Sequence, residues 1–219
     1  RQGLKNEELR AYLGIILGAI LLITVNIAGK FGNPFLAFHH AAFQVGSIIT
    51  TTGYSTVDFN TWPTFSKTVL VLLMFIGASA GSTGGGIKVS RIVILAKSVK
   101  KELKQYLHPH SISKIKMDGK PVEHEVVRSI NVFLIAYLLI YAVSMLIVSL
   151  DNFDFTTTFT SVAATINNIG PGLDLVGPAA NFGILSVPSK LVLIFDMLAG
   201  RLEIFPLLLL FVPDTWRKF

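Results

Sequence analysis

The sequence contains no cysteine, which excludes a disulfide framework, a thiolate nucleophile and a thiolate metal site. It is also poor in charge: 15% of its 219 residues are charged, against about 25% in soluble domains. Catalytic constellations are missing as well. An intramembrane enzyme needs a nucleophile beside a base, or a metal site. No serine stands beside a plausible base, and His124-Glu125 lacks the second histidine of a zincin motif. His39 and His40 are adjacent and do not share a helical face, so no structural metal is expected. Gly81 to Gly86 has the spacing of a phosphate-binding loop, but Ile87 stands where its lysine belongs. Neither an enzyme nor a cofactor is expected.

What is present is apolar. Hydrophobic residues make up 52% of the chain and the mean hydropathy is +0.62, so the lipid bilayer is its expected surroundings. The net charge of +6 does not point to nucleic acid, because the cations are sorted along the chain. Arg1, Lys5 and Arg10 precede the first apolar run, and a long series from Lys88 to Arg128 lies between the two halves. The other side carries only Lys30, Lys67 and Lys190. By the positive-inside rule the N-terminus, the central linker and the C-terminus are cytoplasmic. The first apolar run lacks a small-residue cleavage site, so no signal peptide is expected.

Two short stretches organise the rest. Ile49-Thr50-Thr51-Thr52-Gly53-Tyr54 closes an apolar segment, Pro34 to Ile48, that is too short to span a bilayer. The same grammar returns at Ile166-Asn167-Asn168-Ile169-Gly170-Pro171. Non-helical backbone at membrane depth is tolerated only where it is buried in protein or lines a water-filled cavity. Carbonyls in such a place can replace the water shell of a cation. Thr51, Thr52, Gly53 and Tyr54, with Asn168, Ile169, Gly170 and Pro171, are therefore the candidate filter for a dehydrated cation.

The pattern divides into two copies joined by a linker. Residues 1–110 hold a span (11–27), a short pore helix (34–50), a filter turn (50–54) and a broken span (67–105). The cytoplasmic linker, 111–128, has a turn at Asp118-Gly119. Residues 129–219 hold a span (130–150), a short pore helix (155–166), a filter turn (167–171) and a last span (189–212). The expected fold class is an all-α membrane protein of two parallel span, pore-helix, filter-loop and span repeats. Two such repeats close half a ring.

The break in the first copy runs from Gly77 to Gly86 and contains Gly77, Gly81, Gly84, Gly85 and Gly86. Each glycine costs about 1 kcal/mol in a helix interior relative to alanine. Laying Ser66-Lys67 on Ser189-Lys190 brings Gly77 over Gly200 and sets Arg201 opposite Ala78. An arginine at membrane depth is a functional-site hypothesis by default. Asp196 and Glu203, five and two residues from Arg201, are poorly spaced as its helical partners. The glycine loop and Arg201 are thus the expected gate, the loop being free to move because packing and helical hydrogen bonds do not hold it.

These motifs together resemble the TrkH/KtrB potassium-uptake family: the Thr51-Thr52-Gly53-Tyr54 turn, the run from Asn167 to Gly172, the loop from Gly77 to Lys88, and Gly200-Arg201-Leu202-Glu203-Ile204-Phe205. The resemblance covers nearly the whole chain. It implies K⁺ uptake across a bacterial inner membrane by a subunit with four repeats, of which these match the third and fourth. It further implies the first two repeats as partners, a homodimer, and a cytoplasmic nucleotide-binding regulatory ring of the TrkA type. A Na⁺ or mixed monovalent-cation transporter of the same fold, and a non-conducting scaffold or receptor, are the alternatives.

Overall fold

The computed structural model describes residues 6–108 and 114–201. The expectations for Arg1, Lys5, Glu203 and the last span beyond residue 201 lie outside the described residues.

The first helix, α1 (Glu7–Phe31), starts where Asn6 accepts the Leu9 N–H at 2.9 Å and where Glu7 and Glu8 meet the positive end of the helix dipole. It runs beyond the expected 11–27 because its polar ends continue the helix past the apolar stretch. Gly32, at φ 61°, turns the chain back. Asn33 then caps α2 (Pro34–Ile49), with Pro34 in the first turn where its missing N–H costs nothing. α1 and α2 pack closely along their lengths.

The helix α3 (Thr64–Ile76) stops at Gly77, φ 69°. α4 (Val89–Leu107) begins two residues later than the sequence suggests, because Lys88 sits at φ 76° and is not helical. The linker holds a small hairpin, β1 (Lys116–Met117) against β2 (Lys120–Pro121). Asp118 and Gly119 both take positive φ, 50° and 78°, as a type I′ turn requires. An Asp-Gly turn of this type brings its flanking residues into register as two strands of two residues each, a local addition to an otherwise all-α chain.

The second half begins with α5 (His124–Val148), followed by one turn of 3-10 helix to Asp151. Among the described residues, α1 and the α5 segment to Asp151 are long and apolar enough to cross a membrane. Asp154 opens α6 (Phe155–Ile166) by accepting the Thr157 N–H at 2.9 Å. α7 (Val187–Arg201) closes the described chain.

Two hydrophobic cores result, and they interlock. Ile23, Ile27, Val45, Ile48, Leu70 and Met74 fill the space between α1, α2 and α3. Tyr137, Val162, Ile166, Leu193 and Ala199 fill that between α5, α6 and α7. Ile169, from the second turn, is buried in the first core, while Phe75, from the end of α3, packs on the second. This exchange fixes one turn relative to the other.

Both ends of the molecule are fastened by polar contacts between distant segments. At one end Asn6 Nδ2 and the Glu7 N–H both donate to the Asp118 carboxylate, at 3.0 and 2.7 Å. Lys97 joins them by pairing with Glu7 and donating to the Lys116 carbonyl. At the other end Asn60 grips the Asp174 backbone twice: Nδ2 donates to its carbonyl at 3.0 Å and Oδ1 accepts its N–H at 2.8 Å.

Candidate ion pathway

The two turns have the same backbone, position for position. Thr50 and Thr52 donate their N–H groups back to Gly46 and Ser47, at 3.1 and 2.9 Å; Asn167 and Ile169 donate to Ala163 and Ala164, at 3.3 and 2.8 Å. Left-handed residues alternate in both, Thr51 (φ 55°) with Gly53 (φ 80°), and Asn168 (φ 54°) with Gly170 (φ 110°). Alternation of this kind turns successive carbonyls in a way that a helix or strand does not. Threonine in the left-handed region is uncommon and asparagine less so.

The turns meet across a concavity of about 610 Å³ lined by Thr51, Thr52, Asn168, Ile169 and Gly170 among others. Gly53 is pressed against the Ile169 carbonyl so closely that a Cβ would overlap it, with Pro171 Cδ 3.2 Å away. Tyr54 differs from its neighbours. Its side chain is exposed and its carbonyl already accepts the Ser47 hydroxyl at 2.5 Å.

Beneath the turns lies the glycine loop. Its neck is closed by three backbone hydrogen bonds, from Ile87, Lys88 and Val89 to the carbonyls of Phe75, Ile76 and Ala78, at 3.0 to 3.1 Å. Gly77 and Gly86 face each other there, and a Cβ on Gly86 would come 2.8 Å from Gly77 Cα. Above the neck, the Gly85 N–H reaches Thr51 Oγ1 at 3.3 Å, and its Cα abuts the Asn167 carbonyl with no room for a Cβ. Gly84 is wedged between Ala78 and Thr51. Gly81 alone of the five has open space around it.

The loop is therefore held more firmly than the sequence suggests. Ala80 N–H donates to Glu8 Oε1 at 2.6 Å, and Ser82 bonds twice to the Ser79 carbonyl, at 2.7 and 3.0 Å. Arg201, at the end of α7, donates from Nη1 to the Thr83 carbonyl. Asp196 turns elsewhere: it is fully buried and accepts the Ser144 hydroxyl at 2.8 Å. Glycines were read as a source of freedom, whereas three of them here permit close backbone packing and a fourth, Gly84, is enclosed by side chains.

Residues 32–218 match a protein family described as the TrkH cation transport proteins. The chain belongs to the TrkH family. The Trk system potassium uptake protein TrkH of Vibrio parahaemolyticus is 41% identical over 216 residues, covering 98% of this chain and 44% of that protein. TrkH of Escherichia coli K12 is 38% identical over 216 residues, with the same coverage. TrkG of that strain is 36% identical over 217 residues. In the crystal structure of the potassium transporter TrkH from V. parahaemolyticus, a TM-score of 0.86 at 41% identity covers 97% of this chain and 46% of that one. This TrkH-family chain thus spans about 44% of the length of the curated relatives it matches. The family is one of membrane transporters and not of enzymes.

Asn167 and Asn168 lie in the expected turn 167–171, but sequence reading alone missed the ties their side chains make, and it missed Gly200. Asn167 is fully buried and accepts the Tyr137 hydroxyl at 3.0 Å while donating to the Ala163 carbonyl at 2.8 Å. Asn168 Nδ2 crosses to the Met197 carbonyl on α7 at 3.0 Å. Gly200 lets α7 touch the Ile166 carbonyl, where a Cβ would not fit. The doubled asparagine was the available signal: two amides at a helix end have more bonding capacity than a cap uses. His40 bonds Thr56 Oγ1 at 2.9 Å.

Proposed function

We propose that this chain is the half of a K⁺ uptake pathway that carries its third and fourth filter turns, working passively across a bacterial inner membrane. The observation that carries this reading is the facing pair of turns with one backbone conformation, set over a glycine loop that Arg201 grips. Carbonyls of Thr51, Thr52 and Gly53 on one side and of Asn168, Ile169 and Gly170 on the other replace part of the ion's hydration. Tyr54 and Pro171 close the turns at their outer ends. The remaining carbonyls come from two further repeats of the same subunit.

Below the filter, the loop from Gly77 to Gly86 and the Arg201 cation form the resting barrier. A fixed positive charge in a narrow pore repels a passing cation by several kcal/mol even at an effective dielectric of about 20. The neck bonds confine motion to residues 79–86, the part that Glu8, Thr51, Asn167 and Arg201 touch. The N-terminal end of α1, the hairpin and α4 face the cytoplasm, where a nucleotide-binding regulator of the TrkA type acts on a homodimer through α4 and the loop. Potassium flux into liposomes tests this directly. A complete transporter holding this half conducts K⁺ in preference to Na⁺, and residues 1–219 alone do not conduct. Selective flux through the 219-residue chain by itself overturns the half-ring reading, and flux without selectivity in the complete protein removes these turns from the filter.

A further inference from the structure

The second turn is fastened from behind by a residue on a different helix. Tyr137 lies in the middle of α5, 2% exposed, and its hydroxyl donates to Asn167 Oδ1 at 3.0 Å. Asn167 is wholly buried and its other side-chain group donates to Ala163 at 2.8 Å, so the amide is pinned at both ends and its orientation is fixed. The ring of Tyr137 is equally constrained. It stacks between Phe133 and Tyr141, at centroid distances of 6.2 and 6.5 Å, and meets Phe75 edge-on at 6.5 Å. Asn167 is the residue from which the chain leaves α6 for the left-handed Asn168, and its carbonyl is the one against which Gly85 of the loop is seated.

We propose that Tyr137 is a positioning residue for ion selection: its hydroxyl fixes Asn167, and Asn167 fixes the carbonyls of the turn that follows. The inference rests on the reading of residues 167–171 as a filter turn. Among the described residues the first turn has no counterpart to this tie, since its hydroxyl bonds stay within residues 46–54 except where Thr51 meets the loop. Discrimination between K⁺ and the smaller Na⁺ depends on where carbonyls stand and how far they can close in. Without the phenol, a buried amide oxygen lacks a donor and must move to find one. The backbone of the turn moves with it.

The test is competitive K⁺ and Na⁺ flux per folded protein, in liposomes, for a complete transporter. Tyr137→Phe keeps the ring and its packing, and lowers the K⁺/Na⁺ ratio roughly three- to tenfold, the worth of one net hydrogen bond, while the unpaired amide oxygen also lowers the melting temperature. Tyr141→Phe is the control, because that hydroxyl serves the Phe159 carbonyl in the body of α6; its ratio stays at wild type. Asn167→Ala removes the other partner and shows the same loss, and Tyr137→Phe added to it changes nothing further. Gly170→Ser in the same assay reads the turn itself. If Gly170→Ser alters the ratio and Tyr137→Phe does not, the positioning role is wrong and the filter reading stands. If neither alters it, the filter reading fails and takes this inference with it. Equal effects of Tyr137→Phe and Tyr141→Phe mean a general loosening of the aromatic cluster, which also overturns the proposal.

Discussion

The turns at 50–54 and 167–171 share a backbone but are held in opposite ways. The first is stabilised chiefly from within, apart from the Gly85 N–H on Thr51: Thr50 Oγ1 donates to the Gly46 carbonyl at 2.6 Å and lies 2.8 Å from Thr52 Oγ1, while Ser47 holds the Tyr54 carbonyl. The second is stabilised from outside, by Tyr137 on α5 and by the Met197 carbonyl on α7. The segments after them diverge too. α3 breaks at Gly77, whereas α7 continues through Gly200 to Arg201. One half therefore supplies a loop beneath the turns and the other supplies the cation that grips it. Equivalent sequences placed in one molecule need not keep equivalent roles, because only one of them can occupy the space below the turns.

The largest expected effect breaks the contact between these unequal halves. Arg201→Ala removes the charge and a charge-assisted hydrogen bond to Thr83, interactions worth about 1.5–3 kcal/mol, so basal K⁺ flux through a complete transporter should rise roughly tenfold or more. Dependence on the regulator should weaken with it. Flux measured per correctly folded protein decides the matter; normal or lower basal flux in a well-folded variant contradicts the gate. A second comparison sets Gly53→Ser against Gly170→Ser. Both place a side chain in a left-handed position, a cost of roughly 1–2 kcal/mol, but only the Cβ at Gly53 also collides with a backbone carbonyl. Both should lower the K⁺/Na⁺ ratio, Gly53→Ser by more. Equal effects would show that the close approach to Ile169 has no part in selection.

The manner of fastening can be tested separately from the glycines. Asn168→Ala loses the tie to α7 and the tolerance of asparagine for its positive φ, while Thr50→Val loses two local hydroxyl contacts, to Gly46 and Thr52. We expect Asn168→Ala to lower the melting temperature and the ion ratio more than Thr50→Val does, as measured in detergent and in liposomes. The smallest effect is at the start of α6. Asp154→Ala removes an N-cap, which costs about 1 kcal/mol. The hydrogen bond from Thr157 holds the Asp154 carboxyl below its ordinary value of 3.8. Its contribution is therefore complete above pH 4 or so and is lost as the pH falls through the lower folded-state value. The stability difference between Asp154→Ala and the parent should shrink on acidification; a difference that grows at low pH would remove this cap from the account.

Much of the framework could be read from residues in order. The bounds of α6, the start of α2 at Pro34 and the stop of α3 at Gly77 follow from caps, proline and glycine, which act within a turn or two of chain. The register that put Arg201 opposite Ala78 followed from Ser-Lys and Gly recurring at matching positions, and in the structure Arg201 does reach the loop that Ala78 begins. Other features depend on partners far away in sequence. The loop's tethers to Glu8 and Thr51, the burial of Asp196 on Ser144, and the hairpin clasped to Asn6 all join segments tens of residues apart, and a linear pattern carries no signal for such pairs.

By itself the sequence determined where α2, α3 and α6 begin or end, the two glycine-containing turns and the place where a helix had to break, because these depend on local backbone preference and on the polarity of short segments. Only the tertiary structure decided what the glycines are for. Gly53, Gly77, Gly85 and Gly200 each lie against another segment's backbone, and a glycine chosen for flexibility is written the same way as one chosen for close approach. The structure also decided which asparagine does what. The Asn-Asn pair is symmetric in sequence, but folding turns Asn167 inward to Tyr137 and Asn168 across to α7, since the left-handed step between them points successive side chains in different directions.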